Sequence, residues 1–260
     1  MKPSLLIITP LLLALVRKTL SDDAPRITLA PRDHKVMEGG TVSFFCKSSG
    51  NPAPDIHWLK NGKRVTSNRN RFLTFDMPHG SVLRIEPVKA QRDDTTISCV
   101  AQNSIGEPAR ASASLQVYPQ DQAPPSGYPR ITENPTLKAV EKDRNTVMLC
   151  AATGNPDPTI TWLKDFIPVD MSDPRLTLLS SGSLQIEKSQ ESDEGRYECV
   201  AENNAGVSYS YVANLYVRGE ITKAQLRKWK NKHKKMRGKV GRGKSSNFDL
   251  DLYRMGAAHG

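Results

Sequence analysis

The sequence predicts an all-β chain of two tandem β-sandwiches followed by a disordered basic tail. Three observations carry this: an internal repeat, a matching pair of Cys–Trp–Cys triplets, and a change of composition near residue 219. Gly50-Asn-Pro-Ala-Pro-Asp-Ile-His-Trp-Leu-Lys60 matches Gly154-Asn-Pro-Asp-Pro-Thr-Ile-Thr-Trp-Leu-Lys164, and Cys99-Val-Ala101 matches Cys199-Val-Ala201. Leu83-Arg84-Ile85 corresponds to Leu184-Gln185-Ile186. The offset of roughly 100 residues is the size of one sandwich domain. Each copy runs Cys46, Trp58, Cys99 and Cys150, Trp162, Cys199, with 12 residues from the first Cys to the Trp in both. A cysteine from each sheet, with a strand C tryptophan packed on their bond, is the immunoglobulin arrangement. The fold class is therefore two immunoglobulin-like sandwiches of the I-set type.

Local patterns support the strands. Val42, Phe44 and Cys46 alternate onto one face. In the second repeat the same alternation selects Val147, Leu149 and Ala151, which places Cys150 on the opposite face; a short strand with a bulge would reconcile the two. Asp193-x-Gly195-x-Tyr197-x-Cys199 is a tyrosine-corner pattern, with Tyr two residues before the second Cys. The first repeat has Ile97 there and lacks that hydroxyl hydrogen bond, a loss of about 1 kcal/mol. Each disulfide would close a loop of about 50 residues, worth roughly 4 kcal/mol in the chain-entropy picture.

The expected organisation is a signal peptide over 1–23, a first domain over 24–118, a linker over 119–129, a second domain over 130–218 and a basic tail over 219–260. Lys2 and the apolar run Leu5–Val16 form the signal. That run is short of the roughly 20 residues a spanning helix needs, and no later stretch is apolar enough. Four cysteines in an exported chain favour disulfides over metal or thiol chemistry. The prolines between 119 and 129 make a semi-stiff connector that restricts the interdomain angle without fixing it.

The net charge of +10 is unevenly spread. Residues 24–118 carry 13 basic and 8 acidic groups, residues 129–218 carry 9 and 13, and residues 219–244 carry 11 and 1. In the first domain Lys60, Lys63, Arg64, Arg69 and Arg71 crowd around an Asn61-Gly62 hairpin turn. Arg84 alternates with inward Leu83 and Ile85, so it is expected to point outward. Lys89 and Arg92 follow. Such a group attracts a sulfated polysaccharide by Coulomb forces and counterion release; a merely solvated face is the competing reading. The tail lacks an apolar stripe and is expected to be disordered. Its charge would add affinity for heparan sulfate, anionic lipid or nucleic acid, with a solvated extension as the competing reading; export argues against a nuclear role, and no nucleic-acid partner is expected.

Nothing suggests catalysis. The cysteines are absorbed by the framework, the five histidines show no metal-ligand spacing, and no cofactor is implied. Gly238–Ser245 matches the phosphate-binding loop literally, but no strand precedes it and 15 residues follow, too few for a nucleotide domain. Asn134-Pro135-Thr136 is blocked as a glycosylation acceptor by its proline.

Residues 24–218 resemble the first two immunoglobulin domains of the LAR-type receptor protein tyrosine phosphatases. The resemblance rests on Met148–Asp170, Ser183–Glu187, Ala213–Arg218, Val82–Pro87 and Arg92-Asp93. It implies a first domain that binds heparan and chondroitin sulfate proteoglycans through a lysine-rich loop after strand C, where Lys60, Lys63 and Arg64 fall and Asn61 replaces a usual lysine. Lys89 and Arg92 match basic positions after strand E, while Arg69 and Arg71 are additional. It also implies cell-surface adhesion partners, roles in axon guidance and synapse formation, and two domains packed in a fixed V. Family members continue into a third immunoglobulin domain, fibronectin repeats, a transmembrane helix and two phosphatase domains. Similarity here stops at Arg218, so the chain reads as a secreted short form or an incomplete gene model, without enzyme activity. The alternatives are a fragment of a full-length receptor phosphatase or an adhesion protein that binds only proteins.

Overall fold

The computed structural model describes residues 22–67 and 71–219, whose regular elements are almost all strands. The first sandwich contains β1 (Asp23–Leu29), β2 (His34–Met37), β3 (Val42–Asn51), β4 (Asp55–Lys60), β5 (Lys63–Arg64), β6 (Phe72–Met77), β7 (Gly80–Ile85), β8 (Thr95–Gln102) and β9 (Ala109–Tyr118). One sheet has the order β1-β3-β7-β6 and the other β2-β9-β8-β4-β5. A one-turn helix α1 (Ala90–Asp93) leads from β7 to β8. The alternation of apolar residues dictates what faces inward: Val42, Phe44 and Cys46 from β3 are fully buried with Leu83 and Ile85 from β7. Cys46 bonds Cys99 across the sheets, beside Trp58, whose indole N–H donates to Ser81 Oγ at 3.1 Å.

The second sandwich contains β10 (Arg130–Glu133), β11 (Lys138–Glu141), β12 (Thr146–Met148), β13 (Ala151–Thr153), β14 (Thr159–Lys164), β15 (Ile167–Pro168), β16 (Leu176–Leu178), β17 (Leu184–Ile186), β18 (Gly195–Asn203), β19 (Gly206–Tyr209) and β20 (Ala213–Arg218). One face carries β12-β17-β16 and the β10-β13 pair; the other carries β11-β20-β18-β14-β15, with β19 also on β18. Cys150 bonds Cys199. The parity problem resolves without moving the cysteine. Met148 and Cys150 are the fully buried pair, and Val147, Leu149 and Ala151 are the half-buried outer positions. The short strands expected here are present: the chain breaks at Leu149-Cys150, so that β12 and β13 join different partners, and a register shift falls between Ile131 and Glu133 of β10 opposite β13. Alternation misled because both faces of this strand are partly covered.

The two sandwiches meet through β2, β3 and β7 of the first and β14, β18 and β19 of the second. Arg84 and Glu198 lie at the centre, each nearly solvent-free, with Arg84 Nη1 and Nη2 donating to the Glu198 carboxylate at 2.6 and 3.0 Å. Arg84 Nε donates to Glu86 at 2.8 Å. Aromatic groups enclose the guanidinium, with the Phe166 ring centroid at 4.5 Å and that of Tyr209 at 5.5 Å. Phe166 in turn stacks on Phe75 at 4.9 Å. The Tyr209 hydroxyl accepts the Ser43 N–H at 2.9 Å, and the Tyr128 hydroxyl accepts the Met37 N–H at 3.1 Å. Leu163, Val200 and Val207 of the second sandwich are buried with the core of the first.

Candidate functional site

The basic groups of the first sandwich are placed by one hairpin and one buried carboxylate. Asn61 and Gly62 have φ of 48° and 74°, as a type I′ turn requires. The turn pairs Lys60 with Lys63 and Leu59 with Arg64 across β4 and β5, and the Asn61 N–H donates to Thr96 O at 2.9 Å. That contact brings the hairpin to α1. Asp93, the last residue of α1, is fully buried and collects the neighbouring cations. Its Oδ2 accepts the Lys89 N–H at 2.8 Å and an Arg71 guanidinium hydrogen. Lys60 Nζ lies 2.9 Å from Oδ1, an ion pair without hydrogen-bond alignment. Arg71 Nε also donates to Pro87 O at 2.9 Å, and its guanidinium lies over Phe72 at 5.1 Å.

Lys63, Lys89 and Arg92 are exposed around this anchor, and Arg64 is exposed as well. Arg64 leaves the anchor for the opposite side of the sheet. It lines an open depression with Asp55 and His57, and it acts on His57 together with Arg110 of β9. The arrangement offers cations to an extended anion; it presents no nucleophile or acid–base pair.

The immunoglobulin-domain family model matches residues 24–103 and 128–203, one match per sandwich. The chain belongs to the immunoglobulin-domain family. Within it, the tandem is of the LAR type. It is 51% identical over 209 residues to receptor-type tyrosine-protein phosphatase F of Mus musculus, covering 80% of this chain and 11% of that protein. Identity to the tyrosine-protein phosphatase Lar of Drosophila melanogaster is 44% over 218 residues, 83% of this chain and 10% of that one. Among solved structures, the tandem Ig repeats of Dlar match with a TM-score of 0.70 and 44% identity, over 76% of this chain and all of that one. The chain thus spans about a tenth of the curated relatives it matches. The matched part is immunoglobulin sandwich, a non-catalytic fold, and the phosphatase domains of the relatives lie outside it. Immunoglobulin ectodomains held by disulfides fit an extracellular setting. Among the described residues no helix is long and apolar enough to cross a membrane.

Two basic residues expected at the LAR-type surface are elsewhere. Arg84 is corrected: it does leave its own sandwich outward, but the second sandwich covers that face and Glu198 neutralises it. Alternation reports the side of a sheet and cannot report what packs on that side. Arg71 is corrected too: it is a corner residue spent on Asp93 and Pro87, as Arg175 is on Asp193 in the second sandwich. The Arg71–Asp93 and Arg175–Asp193 correspondence was present in the repeat and would have signalled this. Lys60 is half-buried and shared with Asp93. Arg69 and the basic tail beyond Gly219 lie outside the described residues. His57 and Arg110 were missed because they join only through the β4-β8-β9 register.

Proposed function

We propose that the first sandwich binds heparan or chondroitin sulfate chains of proteoglycans through Lys63, Arg64, Lys89 and Arg92, with Lys60 beside them. The observation that carries this reading is that these four side chains are exposed and make no ion pair among the described residues, while the Asp93 carboxylate beside the hairpin is buried and already holds Lys60 and Arg71. The local positive charge is therefore open to an external polyanion, which binds by Coulomb attraction and counterion release. The LAR-type relatives support extending the reading to cell-surface adhesion proteins as partners, with a role in axon guidance or synapse formation, and to a chain working outside the cell. Domain bounds of 24–118 and 130–218, with a connector over 119–129, go with it.

The test is retention on heparin of the polypeptide 24–218 beside a Lys63→Ala, Arg64→Ala, Lys89→Ala triple variant. Elution well above physiological salt, lost in the variant, is the expected result. Equal and weak retention of both, with tight binding only by the chain that carries the tail, assigns the polysaccharide to the tail and leaves the sandwiches to be tested for protein partners.

A further inference from the structure

We propose that His57, Arg64 and Arg110 form a second anion subsite on the outer face of the β4-β8-β9 sheet, taking one sulfate or carboxylate of a polysaccharide held at the Lys63–Arg92 end. This rests on the function proposed above and extends its footprint around the sheet edge. The register builds the site. His57 of β4 is paired with Val100 of β8, and Val100 with Arg110 of β9, so the three lie in one cross-strand row. Arg64 reaches the same side from β5, the edge strand. Among the described residues no carboxylate lies within ion-pair distance of either Arg64 or Arg110, both exposed, so two guanidinium charges share one small area unneutralised.

The surface is concave there. A depression of about 420 Å³ is lined by Asp55, His57, Arg64, Gln102 and Asn103, among others. Its rim is fixed, because the Asn103 amide donates to Asp23 O and Pro52 O, each at 2.9 Å. The groups facing His57 are Arg64 from β5, Arg110 from β9 and Asp55 from its own strand, while β8 supplies uncharged Val100 and Gln102. Burial first, then Arg64 and Arg110, hold the imidazole below the ordinary histidine range. An anion seated among these groups cancels the repulsion and draws a proton onto His57, becoming a partner for three cations where none was balanced before. Asp55 lines the same depression as His57 and Arg64, and Arg110 adjoins His57 through the β4-β8-β9 row.

The experiment uses the full chain and a heparin-derived hexasaccharide, with affinity measured calorimetrically across a sodium chloride series. Arg110→Ala is expected to weaken binding about threefold and to make the log–log salt dependence shallower by about one contact. Its thermal midpoint should match the wild type, since the side chain is exposed. In a proton–carbon NMR titration, the His57 pKa of the wild type should rise on saturation with the hexasaccharide, and rise less in Arg110→Ala. An Arg110→Ala chain with wild-type affinity and slope, beside a Lys89→Ala, Arg92→Ala chain that loses binding, overturns the subsite and leaves the proposed function standing. A His57 pKa unmoved by saturating hexasaccharide also overturns the subsite. Full binding by both variants overturns the two readings together.

Discussion

Asp93 and Asp193 occupy matching positions in the two repeats and hold their corners by different means. In the second sandwich the Tyr197 hydroxyl donates to Asp193 O at 2.8 Å, and Arg175 grips the carboxylate with two nitrogens at 2.8 and 3.0 Å. In the first, Ile97 fills the tyrosine position and Lys60 joins Arg71 on the carboxylate. Tyr197→Phe is expected to cost about 1 kcal/mol in urea unfolding; an unchanged midpoint would show that water replaces the phenol. Burial alone would raise Asp193, but the hydrogen bonds from Arg175 and the Gln190 N–H, with the charges of Arg175 and Lys164, outweigh it and hold the carboxyl below the ordinary 3.8. A depressed carboxylate stabilises the fold above its unfolded pKa and ceases to as pH falls through its lower, folded value. The stability gap between wild type and Asp193→Asn should therefore be full at pH 6 and shrink below about pH 4. A gap constant down to pH 2 would contradict this.

Phe166 shows what the elements do to single residues. It stands where the first repeat has Gly62, in the same turn, with φ of 71°. An aromatic residue in this region costs on the order of 1–3 kcal/mol. Its ring is held between the Arg84 and Arg196 guanidiniums at 4.5 and 4.4 Å, and stacked on Phe75. Phe166→Gly relieves the backbone and loses the sandwich of charges and rings, so we expect a net destabilisation measurable by thermal unfolding; a rise in midpoint would show that strain outweighs packing. The central pair is steeper still. Burial lowers and Glu198 raises Arg84, with Glu198 winning, while burial pushes the Glu198 carboxyl up against the pull of Arg84. The two-pronged contact opposes the desolvation of both groups. Glu198→Ala should cost about 3–5 kcal/mol by leaving the buried Arg84 with only the exposed Glu86 carboxylate on its Nε side. Arg84→Met with Glu198→Leu should restore most of it. A double variant as weak as the single one would contradict that account.

At the scale of the whole molecule, the repeat, the cysteine–tryptophan framework and the alternation of β3 made the two sandwiches legible from residues alone. The packing of one sandwich on the other was not legible, because Arg84 and Glu198 are 114 positions apart and nothing local to either announces the other. The candidate site was legible in part: Lys63, Arg64, Lys89 and Arg92 follow from turn and loop chemistry, whereas Arg71 and Arg84 read as surface charge until their carboxylates are placed. Because the interface shares buried residues between the sandwiches, we expect calorimetry of the polypeptide 24–218 to give one cooperative transition, split into two in Glu198→Ala. Two transitions in the wild type would contradict the shared core.

The Arg84–Glu198 pair also constrains how such a chain can drift. A change at either position alone strands a charge in a dry interface, so most single-step routes out of the pair pass through a poorly folded protein. The exposed cations a few residues away carry no such penalty. Lysine and arginine can come and go on that surface at little cost to folding, while the joint between the two sandwiches stays fixed unless both of its halves change together.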